Sequence, residues 1–295
     1  MTVFDSISQI IHTPMAVIYR KGDHLQFQCA SPSFTRLVGC SEAELIGTLP
    51  GQLFAAWNDS ICFKNQGTIS CCLNHHKPAS PAIQLQLTWQ FIEDAEQPSY
   101  LIIAEDISAK SWINQLSKSH KVLISGVTSP DFIIQQMNQN YPLPMISGDL
   151  PVERQSAFSF IEESETDHMM RVIEQAVNRK QAESLIVRTN IIANVCKLEV
   201  HVTFCPFFNG DGRLEQYAFV VTDLRPLTEK TSPSVTLKVL MARNNISTQQ
   251  LSDMTGISQQ TISKLRNGKI RKPQRLTAEL IAAELLVAPR QIWPD

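Results

Sequence analysis

The chain has 295 residues, enough for two or three domains, and 43% of them are hydrophobic, which excludes a disordered polypeptide. No apolar run reaches the roughly 18 residues a membrane span needs, and the N-terminus lacks the basic stretch and apolar core of a secretory signal. Net charge is only −2, but from Lys230 onward ten basic residues face four acidic ones, so that end carries +6 and the rest −8. A cytoplasmic protein with a nucleic-acid-binding end is expected, against a merely solvated basic face.

In chain order, Ser41-Glu42-Ala43-Glu44-Leu45 is a capping box, in which Ser41 accepts from an early backbone N–H and Glu44 reaches back. Residues 71–76, Cys71-Cys72-Leu73-Asn74-His75-His76, offer thiolates and imidazoles to a metal. Neighbours on a strand point to opposite faces, so a strand edge and loop is the preferred reading. Residues 83–91 alternate Ile83, Leu85, Leu87, Trp89 and Phe91 with polar partners, a period-two strand with one buried face. A second apolar strand covers 100–104 and ends at Asp106-Ile107. Residues 108–121 are polar with scattered apolar positions and predict a coupling helix.

Met169, Met170, Ile173, Ala176 and Val177 share one helical face, read as packed core, with cavity lining as the alternative. Alternation returns over 196–204, then the turn residues Asn209-Gly210-Asp211-Gly212, then a strand over 217–221 leading to Asp223. Two related domains follow from this repetition. Residues 225–234, with Pro226 and Pro233, read as a linker. The seven cysteines (Cys29, Cys40, Cys62, Cys71, Cys72, Cys196 and Cys205) are odd in number and show no C-x-x-C pair, so they read as reduced packing residues.

Residues 33–47, from Ser33-Phe34-Thr35 to Leu45-Ile46-Gly47, resemble the early helical region of PAS sensor domains. Asp106-Ile107-Ser108 is similar to the end of the PAS last strand, and 209–224 to the PAS terminal hairpin. The resemblance spans residues 1–227, although 129–151 do not match the usual early strands. It implies a small apolar pocket between sheet and helices. In the first domain its candidates are Phe34, Leu37, Leu53, Phe54 and Trp57, with plain core packing as the other reading. The Cys-containing motif of light-sensing flavin domains is not supplied by Cys62-Phe63-Lys64-Asn65.

The string ISTQQLSDMTGISQQTISKLRNGK, residues 246–269, carries the clearest signal. Thr248 or Ser247 caps a helix containing Leu251 and Met254. Gly256 suits a turn that needs positive φ, Ser258 caps the next helix, and Ile262 and Leu265 are its buried face. Gly268 fits a helix stop. This string resembles the Cro/CI-type helix-turn-helix of the xenobiotic response element family at Gln249, Leu251, Gly256, Ile257, Ser258, Thr261, Ile262, Ser263, Gly268 and Pro273. Leu265 stands where an acidic residue is usual, and Met254-Thr255 is also unusual.

The chemistry expected of that segment is operator recognition. Gln259, Gln260, Thr261 and Lys264 lie at the start or outer face of the second helix, where amides reach adenine, an ammonium reaches guanine and a methyl touches thymine. Gln249 and Gln250 open the first helix, whose N-terminus can hold a phosphate. Ser258, Ser263 and Asn267 complete the candidate contact set, and Lys269, Arg271, Lys272 and Arg275 are expected on the phosphate backbone.

The expected fold is α+β: PAS-like domains over 1–110 and 111–227, a linker over 228–234, and an all-α DNA-binding domain over 235–295. The expected partners are a double-stranded operator with an inverted repeat, a second copy of the chain and a small molecule, with no membrane. Nothing in the residues selects a cofactor. No phosphate-cradling loop, G-x-S-x-G or H-E-x-x-H supports an enzyme. Two alternatives remain: the PAS-like domains serve only for dimerisation or protein interaction, or the chain senses redox state or metal through Cys71, Cys72, His75 or His76.

Overall fold

The computed structural model describes residues 12–59, 65–74, 82–93, 97–140, 152–190, 197–227 and 232–294. The chain divides into two compact units, residues 1–115 with 206–216 and residues 116–205 with 217–295.

The first sheet is built from β1 (Met15–Lys21), β2 (His24–Ala30), β3 (Gln66–Cys72), β4 (Gln84–Ile92) and β5 (Ser99–Asp106). Its order is β2-β1-β5-β4-β3, with antiparallel neighbours throughout. Three short helices, α1 (Pro32–Val38), α2 (Glu42–Leu45) and α3 (Pro50–Leu53), lie between β2 and β3. The period-two reading of 83–91 matches β4: Leu85, Leu87 and Trp89 are buried while Thr88 and Gln90 are exposed. The buried Ser31 starts α1, its hydroxyl accepting from the backbone N–H of Phe34 at 3.2 Å and of Met15 at 3.0 Å. The capping box at Ser41 forms as the sequence expects, with Glu44 Oε2 accepting from the Ser41 N–H at 2.8 Å. Helix α4 (Ser108–Ser119) begins where Asp106 Oδ1 accepts from the Ser108 N–H at 2.8 Å.

The second sheet repeats the plan. Strands β6 (Ile124–Thr128), β7 (Ile134–Gln139), β8 (Glu183–Arg188), β9 (Leu198–Phe208) and β10 (Leu214–Pro226) take the order β7-β6-β10-β9-β8. Helix α5 (Thr166–Arg179) precedes β8, with Ile173 and Ala176 buried. The turn after β9 uses Asn209, whose Oδ1 accepts from the Arg213 N–H at 2.9 Å, and Gly212 at φ +79°. Strand β10 continues through Pro226, and Pro233 is already inside the next helix, because proline is tolerated at a strand end and in a first helical turn.

Five helices follow: α6 (Pro233–Asn244), α7 (Thr248–Thr255), α8 (Gln259–Arg266), α9 (Arg275–Glu284) and α10 (Pro289–Ile292). Their shared core joins Leu237, Leu240 and Met241 of α6 to Leu251, Ile262, Leu265, Ile281 and Trp293. The architecture is therefore α+β, two antiparallel sheets with flanking helices followed by an all-α end. Among the described residues, no helix is long and apolar enough to cross a membrane.

Candidate nucleic-acid interface

Helices α7 and α8 are short, and each is fixed by its caps. Ser247, rather than Thr248, caps α7: its hydroxyl accepts from the Gln250 N–H at 3.1 Å, and Gln250 Oε1 accepts from the Ser247 N–H at 2.9 Å. Gly256 ends α7 at φ +71° with no atom within 4 Å of where a Cβ would sit. The turn thus needs glycine for its backbone and not for space. Gly256→Ala should cost about 1–2 kcal/mol, read as a lower denaturation midpoint with DNA contacts unchanged. Ser258 then caps α8, accepting from the Thr261 N–H at 3.2 Å. One buried residue from α7, Leu251, and two from α8, Ile262 and Leu265, hold the pair together.

What the core leaves outside is the candidate interface. Gln259, Gln260 and Lys264 of α8 are exposed, while Thr261 and Ser263 are half-buried. The Thr261 hydroxyl lies 2.9 Å from that of Ser258, so it belongs to the cap and leaves its methyl for contact. Gln250 is likewise occupied in the α7 cap, and Gln249 donates to Asp253 Oδ1 at 2.8 Å. Asn267 follows α8 and donates to Ser263 Oγ at 3.4 Å. Lys269, Arg271 and Lys272 are exposed in the segment after α8. A cleft lined by Lys238, Thr248, Gln249, Gln259 and Arg266 opens beside the N-terminus of α7. The arrangement presents amides and an ammonium along one helix, flanked by cations, as a base-reading helix with a phosphate-binding border would.

Residues 236–292 match the family of the Cro/C1-type HTH DNA-binding domain. No curated protein matches the chain. Among solved structures it is similar to a PAS domain from a two-component sensor histidine kinase, at 15% identity and a TM-score of 0.30, over 35% of this chain and 95% of that one. It is also similar to a light-oxygen-voltage domain studied with a flavin analogue, at 15% identity and TM-score 0.30, over 40% of this chain and 96% of that one. A third is the PAS domain of an HTR-like protein from Haloarcula marismortui, at 10% identity and TM-score 0.30, over 35% and 89%.

The first helix of the Cro/C1-type domain is held from outside it. Val239 of α6 is buried although it stands on the flank opposite Leu237 and Met241 and belongs to no part of the helical core. On that flank Arg243 makes a two-pronged pair with Asp223 of β10, Nε to Oδ1 at 2.6 Å and Nη2 to Oδ2 at 3.1 Å. The Arg225 guanidinium shares Asp223, and the Lys121 ammonium donates to the Arg243 carbonyl. The sequence marks Asp223 only as the end of a repeat. Its role as an anchor was not legible, because the partner lies in another domain.

Away from the DNA-binding domain, the structure places the first-domain pocket candidates in the core. Phe34, Leu37, Leu53 and Phe54 are buried and Trp57 is half-buried. The Phe34 ring lies 5.9 Å from Phe27 and 6.4 Å from Phe54, and Trp57 lies 5.9 Å from Phe54. In the second domain a cavity of about 180 Å³ opens between the sheet and α5, with Met169 and Ile173 on the helix side. Sequence pattern alone favoured packing for Met169. Burial pushes the thiols of Cys71 and Cys205 up to about 11, so both stay protonated and poorly reactive near neutral pH. His75 and His76 lie outside the described residues, as do Cys62 and Cys196. Among the described residues no three His, Cys, Asp or Glu side chains converge as a metal site would require.

Proposed function

We propose that this protein is a cytoplasmic, sequence-specific transcription regulator of the xenobiotic response element type, organised as tandem PAS-like domains over 1–110 and 111–227, a linker, and a DNA-binding domain over 235–295. It binds an inverted-repeat operator as a homodimer and answers to a small molecule. The observation that carries the reading is the exposed row Gln259, Gln260 and Lys264 on a capped helix next to Lys269, Arg271 and Lys272. One such helix reads only a few base pairs, and a genome demands more. A twofold pair of them, about 34 Å apart, meets two half-sites one helical turn apart. The linked pair Asp223–Arg243 supports signalling from the second sheet to the DNA-binding domain.

The test is selection of bound sequences from random DNA by the full chain, followed by footprinting and a mass measurement in solution. An inverted repeat and a dimer are expected. Gln260→Ala should then cost about 1–3 kcal/mol on the selected operator and relax preference at one position. Combined Lys269, Arg271 and Lys272 to Ala should weaken all sequences alike and flatten the salt dependence by about 0.9 in log–log slope for each phosphate no longer neutralised. If Gln260→Ala weakens operator and random DNA equally, α8 is not the reading helix.

A further inference from the structure

We propose that strand β10 couples the first domain to the DNA-binding domain, taking its input where the β9–β10 turn seats on α1 and giving its output at the Asp223–Arg243 pair. The coupling rests on the regulator reading only for its effect at an operator. Residues 206–216, although flanked by β9 and β10, belong to the same compact unit as residues 1–115. Within that unit two backbones meet so closely that only glycines fit. A Cβ on Gly210 would overlap the Val38 carbonyl carbon and the Gly39 nitrogen, and a Cβ on Gly39 would overlap the Gly210 backbone. Gly39 also ends α1 at φ +71°, but Gly210 has no positive φ. The turn itself therefore does not require glycine at 210; the approach to α1 does. The Gly210 N–H donates to the Leu37 carbonyl at 3.0 Å, satisfying an acceptor that the last turn of the helix leaves open.

The seat is stiff on the side of the turn. Asn209 is buried, and its Nδ2 donates to Glu215 Oε1 at 2.9 Å while its Oδ1 closes the turn on Arg213. Beside it the Phe207 ring meets Trp112 of α4 edge-on, with centroids 6.4 Å apart. From this seat β10 runs as the middle strand of the second sheet, between β6 and β9. Leu214 to Asp223 spans about 30 Å at about 3.4 Å per residue. A strand paired along both edges cannot take up a displacement by slipping, because a slip of one residue turns every side chain to the wrong face. A displacement of the turn is therefore carried to Asp223, whose carboxylate grips Arg243 of α6 with two hydrogen bonds.

Hydrogen exchange, read by mass spectrometry, and operator affinity are measured on the full chain. Gly210→Ala adds only the methyl that α1 excludes. It should speed exchange about tenfold or more at residues 37–40, in the turn and around Asp223, and change operator affinity about fivefold or more. Trp112→Ala, which loosens the same seat by deletion, should act at the same three places. Gly212→Ala is the control: at φ +79° it strains the same turn, but nothing lies within 4 Å of its Cβ, so only the turn should exchange faster. In Asp223→Asn and in Arg243→Gln, adding Gly210→Ala should change operator affinity less than about twofold, because the output is already cut. The proposal is overturned if Gly210→Ala reaches no further than Gly212→Ala, or if its effect on the operator survives in both anchor variants. If exchange spreads to Asp223 as expected but no operator is found, the coupling stands and the regulator reading falls. If an operator is bound and Gly210→Ala leaves both its affinity and the exchange at Asp223 unchanged, the regulator reading stands and the coupling falls.

Discussion

Phe34→Ala should destabilise the first domain by about 3–5 kcal/mol, the range for removing a fully buried aromatic ring. The ring is 0% exposed and meets Phe27 and Phe54 in tilted and edge contacts, the geometry that adds aromatic attraction to area burial. Chemical denaturation followed by the fluorescence of Trp57 and Trp89 reads the change, since both indoles sit in or against this core. The experiment also decides what the position is for. A ring that lines free space touches little and is cheap to truncate, so a cost below about 1 kcal/mol would return Phe34 to the role of a pocket residue.

Leu251→Ala should cost about 2–5 kcal/mol and abolish operator binding at moderate temperature. Leu251 is the one buried side chain of α7, at 0% exposure, and it ties that helix to Ile262 and Leu265 of α8. A core of this size supplies only about 3–5 kcal/mol in total, so the loss approaches everything the helical domain has. Calorimetry should show the transition of the sheet domains in place and the helical one shifted or gone. Retention of full operator affinity on warming would mean that α7 is held by something other than this core.

The elements that sequence made legible are those whose signal is local. Strand β4 shows its face by alternation, α2 and α8 by serine caps, and the α7–α8 turn by Gly256. Each depends on residues within a few positions of one another. Strand β7, Ile134–Gln139, carried no such signal, because it is an edge strand with mostly exposed polar side chains on both faces. Its partner β6 is short and contains Gly126, so periodicity could not mark it either. The candidate contact set could be chosen from sequence by residue type but not by availability. Gln249 and Gln250 share the chemistry of Gln259 and Gln260, and only the structure shows the first two engaged within α7. The cavity was invisible because its wall is assembled from strands and a helix far apart in the chain.

The double burial of α6 has a mechanical consequence. A helix packed on both flanks and gripped through Arg243 by Asp223 and Lys121 is not a tether but a fulcrum. On the proposed function, motion of the second sheet would reach the DNA as a tilt of the whole helical domain, and the far end of a lever travels further than its pivot. In the twofold pair proposed above, the two tilts would subtract from or add to the same separation, doubling the error in phase with the double helix. A shift too small to disturb any core could thereby take both reading helices out of step with successive grooves.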